Sequence, residues 1–161
     1  MRHTRVLFLG FVAFSLITAP AWAKGRTVRI ELTCQGLSRP VELTDQTALN
    51  FRYGPWGGEF LGAVTQAAPP DGLRLCEVAF YAESERHQVR LAYVAYYAYD
   101  PRDRKAPGYV YLPGQLEPWH AMNIGTILRQ DRDGRWQQAS RDWAISLVRP
   151  AIDKAERADH G

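Results

Sequence analysis

The sequence predicts an α+β fold: a strand-rich domain built on an antiparallel sheet, roll- or sandwich-like, with a C-terminal helix. Three observations carry this. Apolar and polar residues alternate with period two through the middle of the chain. Tyrosine and valine, which pack well on a pleated surface, are concentrated in the same stretches. After Ser140 the pattern changes to a helical spacing, with Trp143, Leu147 and Val148 on one side.

The N-terminus is read first as a targeting segment. Arg2 and Arg5 precede an apolar run from Val6 to Ala19, Pro20 breaks it, and Ala21-Trp22-Ala23 gives the small-x-small pattern of a signal-peptidase site. That run of 14 residues is shorter than the ~20 that a membrane-spanning helix needs. The expectation is a cleaved leader, 1–23, and one exported globular domain, 24–161, periplasmic or extracellular and with no membrane span of its own. Residues 158–161 are expected to fray.

Thr27 to Thr33 alternates as the first strand, with Val28, Ile30, Leu32 and Cys34 on one face. In the next segment Thr44 or Asp45 can cap one or two helical turns reaching Leu49. Gly54, Pro55, Gly57 and Gly58 then surround Trp56 with very permissive or very stiff backbone. A Pro-Pro-Asp-Gly turn (69–72) leads into a strand over Leu73 to Ala82. A polar hairpin segment, AESERH (82–87), connects it to the longest strand, Gln88 to Tyr99, with Val89, Leu91, Tyr93, Ala95, Tyr97 and Tyr99 on one face. A charged loop follows, then a short strand from Tyr109 to Leu112, with Tyr109 and Tyr111 opposite Val110 and Leu112. Pro113-Gly114 makes a corner. Asn123 to Arg129 and Arg135 to Ala139 flank a turn ending in Asp133-Gly134, a hairpin signal. Ser140 is the expected cap of the last helix, Arg149 its end before Pro150, and Ala151 to Arg157 a second short helix.

Cys34 and Cys76 are the only cysteines, and each sits in an apolar alternation. In an oxidising compartment a bridge between them is expected; two buried free thiols are the other reading.

Charge argues against nucleic acid. Without Arg2 and Arg5, the 20 basic residues fall to 18, against 17 acidic ones. Those that remain are interleaved with acids, as over 100–105 and 129–135, so no single-sign field builds up.

Catalytic signals are sparse. There is no Gly-x-Ser-x-Gly turn, no His-Glu-x-x-His and no paired-cysteine metal spacing. The Asp131 and Asp133 turn would fit a calcium loop only with Arg129 and Ser140 in ligand positions, so it is a hairpin turn. No metal and no cofactor are expected. Glu117 and His120, three apart, can share a helical face, a carboxylate orienting an imidazole as general base.

The aromatics form the second candidate set. Trp56 and Trp119 are the expected recognition residues, with His120, Tyr109 and Tyr111 as flanking contacts, because aromatic side chains add contact area at little entropic cost. The leading expectation is a non-enzymatic secreted or envelope domain that binds a protein or glycan partner. A small hydrolase acting on cell-wall material through Glu117 and His120 is the alternative, and a structural or inhibitory module is a third.

The segments Leu37 to Asp45, Pro55 to Phe60 (PWGGEF) and Gly108 to Gly114 (GYVYLPG), with Asn123, Gly134 to Trp136 and Trp143, together resemble a family of small uncharacterised secreted bacterial proteins. The resemblance spans most of the exported part in order and implies one exported domain. It implies no mechanism, cofactor or catalytic residue, and the cysteine pair is not part of its pattern.

Overall fold

The computed structural model describes residues 25–45, 49, 53–65, 68–124 and 132–159. The leader expected over 1–23 lies outside them. Seven strands form one open sheet in the order β2-β1-β4-β5-β6-β7-β3. They are β1 (Arg26–Cys34), β2 (Val41–Leu43), β3 (Leu61–Val64), β4 (Arg74–Glu83), β5 (Val89–Tyr99), β6 (Tyr109–Leu112) and β7 (Arg135–Ala139). Every pairing is antiparallel. The α+β class is as expected; the sheet is single rather than a sandwich of two. The long strands β1, β4 and β5 were legible from alternation, whereas β2 and β3 are too short to announce themselves.

The buried face is the one the alternation marked. Ile30, Leu32 and Cys34 of β1, Cys76, Val78 and Phe80 of β4, and Tyr93, Ala95, Tyr97 and Tyr99 of β5 all enter one core. Val28, Leu91 and Val89, also expected there, lie outside the core, because irregularities at Thr27/Arg29 and opposite Phe80 and Tyr81 shift the register; Val89 is exposed. Cys34 and Cys76 stand directly opposite each other in the β1–β4 register and form the expected disulfide. At the β4–β5 hairpin, His87 adopts φ 56° and its Nδ1 lies 3.0 Å from the Glu83 carboxylate.

The C-terminal helical segment lies across this core. Trp143 meets the Tyr97 ring edge-on at 5.2 Å and the Phe60 ring at 5.8 Å, and Val148 and Ile152 continue the same stripe. Such aromatic pairs add about 0.5–1.5 kcal/mol beyond the area they bury.

Its internal geometry corrects the expected break at Arg149. A π-helical turn over Asp142–Val148 runs directly into an α-helix, α2 (Arg149–Asp159). The Arg149 N–H donates to the Ala144 carbonyl five residues back, so the chain reaches Pro150 with widened turns. That widening shifts the preceding carbonyls away from their α-helical places, so the Pro150 ring is accommodated although its nitrogen donates nothing. The helix therefore passes the proline instead of splitting into two. Ser140 stands at the expected cap position: its carbonyl accepts from the Ala144 N–H, and Arg141 after it already has helical backbone, φ −61° and ψ −43°. The far end is also tied: the Asp159 carboxylate accepts from both the Ser38 N–H and its hydroxyl. Ala158 and Asp159 are thus part of α2 rather than frayed, and 160–161 lie outside the described residues.

A second correction concerns Asn123. It belongs to a short helix, α1 (His120–Ile124), and not to a strand; the remainder of the expected arm, 125–129, lies outside the described residues. β7 pairs instead with β6 and β3. In the segment where helical turns were expected near Leu49, the Leu49 N–H donates to the Asp45 carbonyl, an i→i−4 bond. None of the described helices is long and apolar enough to cross a membrane.

Candidate functional site

The stretch from Gly108 to Ile124 organises the outer face of the sheet. Gly108, at φ 76°, starts β6 against β5; a Cβ there would collide with the Ala98 carbonyl and meet the Tyr97 ring. β6 then alternates as expected, with Val110 and Leu112 in the core and Tyr109 and Tyr111 outward and half-buried. At the Pro113-Gly114 corner, Gly114 packs onto Gly134, where an added Cβ would stand 2.7 Å from the Gly134 Cα. The Pro-Gly and Asp-Gly signals are two sides of one close backbone contact.

β5 extends beyond the end of β6, which pairs only with Tyr96, Tyr97 and Ala98. The free edge is met by Asn123. Its side-chain oxygen accepts from the Val94 N–H at 3.0 Å, and its amide donates to the Val94 carbonyl at 2.7 Å. A buried carboxamide here does what the next strand residue would do, satisfying both backbone groups. Segment 113–124 therefore closes the sheet edge where β6 stops.

Three rings on adjacent strands lie in a row beside this segment. Tyr96 pairs with Tyr111, and Tyr111 with Trp136, in the ladder registers of β5, β6 and β7. Ring centroids are 6.5 Å apart for the first pair and 5.1 Å for the second. The Tyr111 hydroxyl holds the loop. Tyr111 donates to the Glu117 carboxylate, 2.8 and 2.9 Å from its two oxygens, and the Gly114 N–H donates to the same carboxylate at 2.6 Å. The Trp119 side chain lies close enough to the Tyr96 hydroxyl to favour its ionised form.

These contacts shape the ionisation of the phenols. Burial, then the hydrogen bond to the Glu117 carboxylate and its charge, push Tyr111 up to about 12. Burial also raises Tyr96, followed by the charge of Glu77; the Trp119 side chain opposes them and Glu117 adds a smaller upward push. Both rings remain neutral phenols in a carboxylate field.

Two residues of the loop are held in left-handed backbone: Leu116 at φ 72° and Trp119 at φ 71°. Neither is a glycine, and each such residue costs of order 1 kcal/mol or more. Both are exposed, Leu116 at 98% and Trp119 at 38%. With Ile124 they supply three of the five large apolar side chains found exposed among the described residues.

The expected site residues are therefore only partly together. Trp119 and Tyr111 belong to one surface, with Tyr109 next to it on the same face of β6. Trp56 is half-buried in the turn leading to β3, where the Gly58 N–H bonds back to the Gly54 carbonyl. No ring contact joins it to the row among the described residues. Tyr96, Trp136 and Leu116 were not singled out as site residues by the sequence. The first two become neighbours of Tyr111 only through strand register, and Leu116 is marked only by its backbone.

Glu117 and His120 do not form the expected carboxylate–imidazole pair. Glu117 is engaged by Tyr111 and Gly114, while His120 Nδ1 lies 3.1 Å from the Pro113 carbonyl. That carbonyl only accepts, so Nδ1 carries the proton and is turned into the corner. Among the described residues no group of three or more His, Cys, Asp or Glu side chains is placed to hold a metal. No protein-family model, curated protein or solved structure matches the chain.

Proposed function

We propose that this chain is an exported, non-enzymatic binding domain that recognises a protein partner through segment 113–124 and the Tyr96–Tyr111–Trp136 row. One observation carries the proposal: Leu116 and Trp119 are both exposed and both held in costly left-handed backbone by a loop tied down on either side of them. A fold gains nothing from straining an exposed leucine. Strain of this kind collects at binding and switch segments, where the surroundings fix the conformation. Exposed aliphatic and indole groups side by side are the chemistry of protein interfaces, where aromatic anchors dominate the binding energy. The Cys34–Cys76 bridge is compatible with an oxidising compartment, periplasmic or extracellular.

A glycan is the second reading, favoured by the ladder of three rings, a platform on which sugar faces stack. Capture from envelope extract by the parent chain, compared with Trp119→Ala and Leu116→Gly, separates the two, with cell-wall glycan fragments as a parallel probe. A protein species retained by the parent and lost by both folded variants supports the proposal. Equal capture by all three chains contradicts it, and retention of glycan alone favours the second reading.

A further inference from the structure

We propose, resting on that reading, that the Tyr96–Tyr111–Trp136 row receives a cationic side chain of the partner, with Glu117 and Glu77 as its counter-charges. The rings are half-buried and lie on one face of three adjacent strands, so a ligand meets their faces and edges. The hydroxyl of the central ring, Tyr111, is already engaged by Glu117. What remains on offer is π surface, whose negative face attracts an ammonium or guanidinium group within about 6 Å.

Charge points the same way. The charged side chains that act on Tyr96 and Tyr111 are carboxylates, Glu77 and Glu117. On the core side of the sheet, by contrast, arginines take part: Arg149 acts on Tyr97 and Tyr99, and Arg74 on Tyr99 alongside the Glu156 carboxylate. The protein uses this chemistry on itself elsewhere. Arg29 lies over the Tyr81 ring at 4.0 Å, and Arg149 over the Tyr99 ring at 4.4 Å. No described arginine or lysine occupies the equivalent place over the row. An anionic partner group would face two carboxylates there, and a neutral sugar would leave their charge unanswered. A cationic side chain flanked by apolar residues matches the row and the exposed Leu116 and Trp119 together.

The test is a titration of the oxidised protein with N-acetylarginine amide, monitored at the tryptophan indole N–H resonances. N-acetylglutamate amide and chitobiose serve as comparison probes. The expected result is a saturable shift at Trp136 and Trp119 with the arginine derivative alone, while Trp143, buried in the core, does not move. Glu117→Gln, which keeps an oxygen for the Tyr111 hydroxyl, is expected to weaken the arginine derivative about four-fold by removing one charge at roughly 5 Å in water. A shift with chitobiose and none with the arginine derivative overturns the cationic assignment and leaves a binding face. Equal shifts with the arginine and glutamate derivatives overturn it as well. If no probe moves Trp136, and Trp119→Ala and Leu116→Gly leave partner capture unchanged, both this inference and the reading beneath it fail.

Discussion

The Tyr111 hydroxyl and the Glu117 carboxylate are joined across the Pro113-Gly114 corner, with the hydroxyl 2.8 and 2.9 Å from the two carboxylate oxygens. Strand and loop thus share one charge-assisted contact. It sets the position of the turn that carries Leu116 and Trp119.

That contact has a pH signature. The Tyr111 pKa rises on folding from 10.0 to about 12, so the folded state holds the phenolic proton more tightly than the unfolded chain. The resulting stability is fully present below about pH 10 and is lost as pH climbs toward 12. Tyr111→Phe is expected to cost about 1.5–3 kcal/mol at neutral pH, the worth of a hydrogen bond to a charged group. The variant should also lose less stability than the parent between pH 10 and 12. Denaturant midpoints measured across that range check both statements.

Asn123 is expected to matter for the fold more than any other polar residue of the loop. Asn123→Leu strands the Val94 N–H and carbonyl at a buried edge, each costing about 1–3 kcal/mol. Hydrogen exchange at the Val94 amide should accelerate well beyond that of its neighbours. A variant with unchanged exchange there would show that the carboxamide is dispensable.

Replacing Cys34 and Cys76 together by alanine should lower stability by about 4 kcal/mol on the chain-entropy model, given their sequence separation of 42. Both half-cystines are buried between β1 and β4, so reductant is expected to reach them only when the sheet opens. Melting with and without reductant, in parent and double variant, gives the comparison.

Much of the fold was legible because long strands with one buried face repeat a simple pattern. Ile30, Leu32, Val78, Phe80, Tyr93 and Tyr97 follow it without exception. The bridge was legible because Cys34 and Cys76 each extend such a pattern. What escaped the sequence depends on partners distant along the chain. Tyr96 and Trp136 flank Tyr111 only through pairing registers that no local window contains. Asn123 sits in a helix because an unpaired strand edge, created by the shortness of β6, has a use for its side chain there. Pro150 is a strong local stop signal, and a π turn before it removes the conflict. Leu116 carries no sequence mark, since leucine says nothing of the φ into which it is forced.

The central claim is that Leu116 is held outward in left-handed backbone for a partner's sake. Leu116→Gly tests it most directly, by thermal melting together with partner capture. Glycine adopts φ 72° without the steric cost of a side chain, an effect of about 1 kcal/mol that offsets its greater unfolded-state freedom. The account predicts a variant that melts at or above the parent temperature and loses its partner. A variant that melts markedly lower, or that captures the partner as well as the parent does, would contradict it.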